Sequence, residues 1–170
     1  MFDSKVKTII IGYGNPGRQD DGLGPVFINQ LTEQLSEKNR LQLRLQSNYQ
    51  LTVEDAYDIL EFDQVIFVDA SMNAQAPFTF TKITETHNSG MGSHSLTPNA
   101  VIRLCETLYG TGPKAFVLAI KGYEFDQFDE HLSTKANTNM LAAVEFLITF
   151  LNDGLFEGVD GDNHQACAHA

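Results

Sequence analysis

The period of hydrophobic and polar positions changes several times along the chain, and each change marks an element. Lys7 to Tyr13 is β-branched and continuously apolar at its centre, the pattern of a strand buried on both faces of a parallel sheet. A glycine-rich turn follows, after which Leu23, Phe27, Leu31 and Leu35 recur every four residues and predict one apolar helix face. Leu41, Leu43 and Leu45 alternate with Gln42, Arg44 and Gln46, which predicts a half-buried strand. Val53 to Leu60 reads as a short helix and Gln64 to Asp69 as a second buried strand. Phe78 to Thr84 alternates aromatic and threonine positions, as an antiparallel edge strand would. Thr97-Pro98 is a helix start, with Thr as N-cap and Pro at the first helical position, and Gly110 is its stop. Lys114 to Lys121 predicts a further strand. Asn137 to Asn152 predicts the last helix, with Leu141, Val144, Ile148 and Leu151 on one face and Gly154 as terminator.

The order β-α-β-α-β-β-α-β-α predicts a three-layer α/β/α domain on a mostly parallel twisted sheet with one antiparallel edge strand. With no internal repeat or low-complexity tract, the expectation is a single domain over residues 1–158 and a flexible tail over 159–170. Composition agrees: 170 residues suit one core, and 42% hydrophobic with 10% aromatic residues belong to a globular fold. No apolar run reaches the roughly 20 residues that span a bilayer, and the first residues lack a signal-peptide pattern. A cytoplasmic protein is expected. Two cysteines, Cys105 in a helical pattern and Cys167 in the tail, predict no structural disulfide. A net charge of −11 argues against nucleic acid and for a metal cation or a basic polypeptide as partner.

In open α/β sheets, ligands bind beyond the carboxyl ends of the strands. Three loops leaving such ends carry polar residues: Gly12 to Gly22 after the first strand, Val68-Asp69-Ala70-Ser71, and Gly92 to Thr97 before a helix. Asp21, Asp69 and His94 are therefore expected at one sheet edge. Two carboxylates and an imidazole suit a borderline divalent ion such as nickel or zinc, with a coordination position left for water or substrate. Without a metal, paired carboxylates can still activate water.

Blander readings exist for each residue. Asp20-Asp21-Gly22 could place charge at a helix start, Asp69 could end a strand, and His94 could cap a helix. Gly12-Tyr-Gly-Asn-Pro-Gly17 matches a dinucleotide-binding pattern, but the second strand ends Gln46-Ser47-Asn48 without the acid that holds a ribose. Pro16 also removes an amide donor. His87, His131, His164 and His169 lack ligand spacing, and Ser71, Ser93 and Ser95 lack a nucleophile-elbow context.

Three motifs, taken together, resemble the [NiFe]-hydrogenase maturation proteases. They are Gly12-x-Gly14-Asn15 with Asp20-Asp21-Gly22-x-Gly24-Pro25, then Val65-Ile-Phe-Val-Asp69-Ala70, then Ser93-His94-x-Leu96-x-Pro98. The resemblance runs from about residue 7 to 150 and implies a phosphorylase/hydrolase-like α/β fold. It implies an endopeptidase, grouped with aspartic-type peptidases, that removes the C-terminal extension of a nickel-loaded hydrogenase large-subunit precursor. Asp21, Asp69 and His94 match the three nickel-contacting positions, and the nickel arrives with the precursor; other divalent ions could substitute in vitro. Asp20 and Asn15 would orient the loop behind them. Relatives often carry Asp-Gly-Gly-Thr where this chain reads Tyr49-Gln50-Leu51-Thr52, which resembles the subgroup serving bidirectional, pyridine-nucleotide-coupled hydrogenases. Two other classes compete: a non-catalytic nickel-binding chaperone on the same scaffold, and a peptidyl-tRNA hydrolase. Against the second, Arg18-Gln19-Asp20 stands where those enzymes carry Arg-His-Asn.

Overall fold

The computed structural model describes residues 6–84 and 96–153 and the backbone of 164–165. Its elements are β1 (Thr8–Tyr13), a 3₁₀ turn (Gln19–Gly22), α1 (Leu23–Gln34), α2 (Glu37–Arg40), β2 (Leu43–Asn48), α3 (Asp55–Asp58), β3 (Gln64–Ser71), β4 (Phe78–Lys82), α4 (Pro98–Tyr109), β5 (Lys114–Lys121), α5 (Thr134–Asp153) and β6 (His164–Gln165). The sheet order is β2-β1-β3-β5-β4-β6. β2, β1, β3 and β5 are parallel; β4 runs antiparallel to β5, and the two-residue β6 pairs antiparallel with β4 beyond it.

The continuous apolar runs in β1 and β3 have a simple cause: both strands are central and covered on both faces. Ile10, Ile66 and Val68 point to the side of α1 and α5, where Phe27, Leu31, Met140, Val144 and Leu147 join one core. Ile9, Ile11, Val65 and Phe67 point to the opposite side, into a smaller core with Ile59, Val101, Ile102 and Cys105 from the α3–α4 layer. Phe80 fills the first core beside Phe116, with ring centroids 5.3 Å apart, and meets Phe150 edge-on at 5.1 Å. The three-layer architecture follows from this period-two alternation in strands flanked by amphipathic helices.

Helix punctuation matches the residue chemistry. The Thr97 side chain accepts the Ala100 N–H at 3.2 Å, Pro98 opens α4, and Gly110 ends it in the left-handed region at φ 73°. Three expectations need correcting. Leu41 is 88% exposed and precedes the strand, because Ser36 caps the short helix α2 and turns the chain before β2 begins. Val53 lies outside α3 and is exposed. The buried face of α5 is Ala136, Met140, Ala143, Val144, Leu147 and Phe150, whereas Leu141 is exposed. Two alanines complete that stripe, and a reading weighted towards large side chains passes over them. The expected terminator Gly154 and most of the tail are outside the described residues.

Two glycines set how closely α1 lies on the sheet. A Cβ on Gly12 would sit 2.3 Å from the Gly24 carbonyl oxygen, and one on Gly24 would sit 2.3 Å from the Tyr13 oxygen and 2.8 Å from the Val68 oxygen. The first turn of α1 therefore rests directly on β1 and β3. The spacing that mimics a dinucleotide fingerprint serves helix–sheet contact in this chain.

Candidate active site

Strand order reverses at β1: the chain crosses from β1 to β2 on one side and returns to β3 on the other. Loops diverge at such a point and leave a crevice at the carboxyl ends of the strands. Tyr13 closes β1 there, and Asp69 stands near the end of β3 just past the Gly12–Val68 pair. The Tyr13 hydroxyl donates to Asp69 Oδ2 at 2.9 Å. Asp21 arrives from the 3₁₀ turn, and its Oδ2 accepts the Asn15 N–H at 2.9 Å. Asn15 itself is locked by Oδ1, which accepts the Gly17 N–H at 2.8 Å. One oxygen of each carboxylate is thus held by a protein donor.

The Asp21 charge reaches Asp69. Burial pushes the Asp69 carboxyl up to about 6, and the Asp21 charge adds to this against the opposing hydrogen bond from Tyr13. Burial, followed by the charges of Asp69 and Asp21, raises the Tyr13 phenol well above its ordinary value, so it stays a hydrogen-bond donor. Among the described residues neither carboxylate has a Lys or Arg partner. Two half-buried, mutually repelling carboxylates without a protein cation form a donor set that a divalent ion would satisfy. Among the described residues no group of three His, Cys, Asp or Glu side chains comes together.

Asp69 and Tyr13 line a cleft of about 330 Å³ with Ser71, Leu96, Thr97 and Asn99. His94, the third expected ligand, lies outside the described residues, as do Ser93 and Ser95. Leu96, two positions further along the chain, is in the cleft wall. A larger hollow of about 790 Å³ lies at the opposite edge of the sheet, between Lys7, Asp63 and Lys114. It sits at the amino ends of the strands, and its two acids already have protein partners: Glu61 pairs with Arg44 at 3.7 Å, and Asp63 Oδ2 accepts the Lys7 N–H at 2.8 Å.

Asp20 ties the site loop to the segment that follows β5. It is fully buried, and its Oδ2 accepts the N–H of Tyr123 at 2.8 Å, the N–H of Glu124 at 2.9 Å and the Ser133 hydroxyl at 2.8 Å. Its Oδ1 accepts the Ser133 N–H at 2.7 Å. Burial raises its proton affinity, but these donors outweigh burial and hold the carboxyl below the usual range. Asp20 is an ionised staple between the site loop and the start of α5. Asn15 is the residue whose backbone touches Asp21.

Tyr13 was not among the candidates from sequence. Its position as the variable residue between two glycines at the end of a strand is the signal that could have singled it out.

No protein-family model matches the chain, and no curated protein matches it at a significant level. Solved structures do. A [NiFe] hydrogenase maturation protease, HycI, from Thermococcus kodakarensis superposes with a TM-score of 0.68 at 18% identity, covering 89% of this chain and 96% of that one. The hydrogenase maturating endopeptidase HybD from E. coli gives 0.70 at 17% identity, over 93% and 98% of the two chains. An endopeptidase from Escherichia coli gives 0.67 at 16% identity, over 91% and 95%. At these identities the likeness is one of fold, and the chain has the α/β fold of the hydrogenase maturation endopeptidases.

Proposed function

We propose that this chain is an endopeptidase that removes the C-terminal extension of a nickel-loaded [NiFe]-hydrogenase large-subunit precursor. The observation that carries the reading is the pairing of Asp21 and Asp69 at the β1/β3 switch point. Each has one oxygen fixed by a protein donor, within a fold shared with hydrogenase maturation proteases. On this reading Asp21, Asp69 and His94 contact the nickel that the precursor brings, and other divalent ions can take its place in vitro. Nickel held there would polarise the scissile carbonyl. The chain's own residues do the rest. Asn15 fixes Asp21 through its backbone N–H, and the Tyr13 hydroxyl fixes one oxygen of Asp69, so that each carboxylate is oriented by a protein donor.

On the same reading, the segment Tyr49 to Asp55 resembles that of the enzymes serving bidirectional, pyridine-nucleotide-coupled hydrogenases. Here Asp55 accepts the Thr52 N–H at 2.6 Å and the Asn48 side-chain amide at 3.0 Å, forming a closed turn beside β2.

Co-expression of the nickel-loaded precursor with wild-type, Asp69→Ala or His94→Ala protein tests the proposal. Wild type converts the precursor to a faster-migrating form, and both variants leave it at its original mobility. Conversion by both variants would overturn the assignment. A chaperone would instead bind the precursor and leave the C-terminus whole.

A further inference from the structure

The segment 123–131 between β5 and α5 has no helix or strand of its own apart from a single bridge pairing Arg18 with Asp129, yet it is tied to the site loop along its length. Besides the bonds to Asp20, the Asp20 N–H donates to the Glu124 carbonyl at 2.9 Å, and the Gln19 N–H donates to the Asp129 carbonyl at 2.7 Å. The Asp129 N–H donates to the Gly17 carbonyl at 3.1 Å. Gln19 takes the left-handed conformation at φ 49° and is buried, with Oε1 accepting the Gln127 N–H at 3.1 Å. A glutamine held in that region at a cost of about 1 kcal/mol or more indicates that its surroundings dictate the geometry. This strap is therefore a rigid extension of the loop that carries Asp21.

What the strap presents is unusual for a surface loop. Phe128 is 89% exposed, with the Arg18 guanidinium 5.7 Å from its ring centroid. Glu124, Asp126, Asp129 and Glu130 surround it in sequence, and residues 122–134 contain no Lys or Arg. The flanking lysines, 121 and 135, sit over the Tyr123 ring at the far end, with Nζ 5.5 and 5.6 Å from its centroid, so the acidic character is concentrated around Phe128. Among the described residues the only ion pair in the strap is Asp129 with His131 at 2.7 Å. An aromatic anchor on a rigid backbone, flanked in sequence by Glu124, Asp126 and Glu130, none of which makes an ion pair among the described residues, fits a polypeptide that carries an apolar side chain among Lys and Arg residues. A second copy of this chain, also at −11, would be repelled.

We propose that the strap is the docking surface for a basic, apolar-bearing stretch of the precursor polypeptide, with Phe128 as its anchor. This rests on the endopeptidase reading. Docking there sets the distance from the bound stretch to Asp21 through the hydrogen bonds of Gln19 and Asp20.

The probe is a nickel-loaded large-subunit precursor that the wild-type chain cleaves, and kcat and KM are measured at about 50 and about 300 mM salt. Phe128→Ala raises KM roughly tenfold or more and leaves kcat unchanged, as truncation of an interface anchor does. Phe128→Leu recovers part of the loss. Asp126→Lys with Glu130→Lys raises KM and flattens its rise with salt. Thermal melting checks that the variants fold, which the exposure of Phe128 predicts. Precursor cleavage by wild type with an unchanged KM for Phe128→Ala would overturn the docking surface and leave the peptidase reading intact. So would a loss confined to kcat, or a wild-type dimer that Phe128→Ala dissociates without changing KM. Failure of wild type to cleave any nickel-loaded precursor would overturn the peptidase reading itself.

Discussion

Replacing Asp69 by asparagine should stabilise the protein at neutral and alkaline pH while removing its proposed function. The Asp69 carboxyl has an ordinary value of 3.8 when the chain is unfolded and about 6 when folded, because burial and the Asp21 charge disfavour its ionised form. Below pH 3.8 the group is protonated in both states and carries no penalty. Between the two values the folded state holds the extra proton, so stability falls as pH rises, and above 6 the whole penalty applies. At about 1.36 kcal/mol per tenfold change in proton affinity, the penalty is about 0.5 kcal/mol near pH 4 and about 3 kcal/mol at pH 8. Asparagine never ionises and can still accept the Tyr13 hydroxyl through its amide oxygen. Any pH-independent effect of the amide appears at both pH values and cancels in their difference. Urea unfolding of wild type and Asp69→Asn at pH 4 and pH 8 should therefore show a relative gain for the variant of about 2–3 kcal/mol at the higher pH. The gain should shrink in an Asp21→Asn background. A variant whose relative stability is the same at both pH values would refute the claim that Asp69 is a strained, half-buried acid facing a second negative charge.

Asp20→Ala strands three backbone N–H groups and a hydroxyl, and should cost about 4 kcal/mol or more in urea unfolding at pH 7. Because Asp20 titrates below the usual range, its contribution is complete above the ordinary carboxylate value and disappears only as pH falls through its folded value. Tyr13→Phe removes the hydrogen bond that favours ionised Asp69, so a ¹³C NMR titration of that carboxyl should give a midpoint above about 6. A lower midpoint would contradict the contact. Gly24→Ala forces a methyl to within 2.3 Å of the Tyr13 carbonyl oxygen and should cost about 3 kcal/mol or more by thermal melting. Gly110→Ala has open space around it and only φ 73° to resist, so its cost should stay near 1 kcal/mol.

Much of the fold can be read from the sequence because its strongest signals are local. The apolar cores of β1 and β3, the four-residue rhythm of α1 and the Thr97-Pro98 cap each depend on neighbours in sequence. The misplaced elements are those decided elsewhere. Leu41 alternates like a strand residue, but the Ser36 cap turns the chain first; Leu141 fits a helix stripe, but the alanines at 136 and 143 allow α5 to pack one step further round. The positions of Asp21 and Asp69 at the sheet edge could be inferred because one follows a buried strand and the other stands near the end of one. The partners of Asp20 could not, since they lie more than 100 residues away and are mostly backbone amides, which leave no mark in sequence. Tyr13 escaped notice for a related reason: only strand register brings its hydroxyl to Asp69. At 16–18% identity the solved structures share the fold with this chain, and the fold is the one that the motif resemblance implies.

The most direct test of paired Asp21 and Asp69 as the working centre is mass spectrometry of a purified large-subunit precursor incubated with this protein. Wild type should release one C-terminal peptide from the nickel-loaded precursor and none from the nickel-free form, and Asp21→Ala and Asp69→Ala should release none. Peptide release by either variant at the wild-type rate, or an intact C-terminus after incubation of nickel-loaded precursor with wild type, would contradict it.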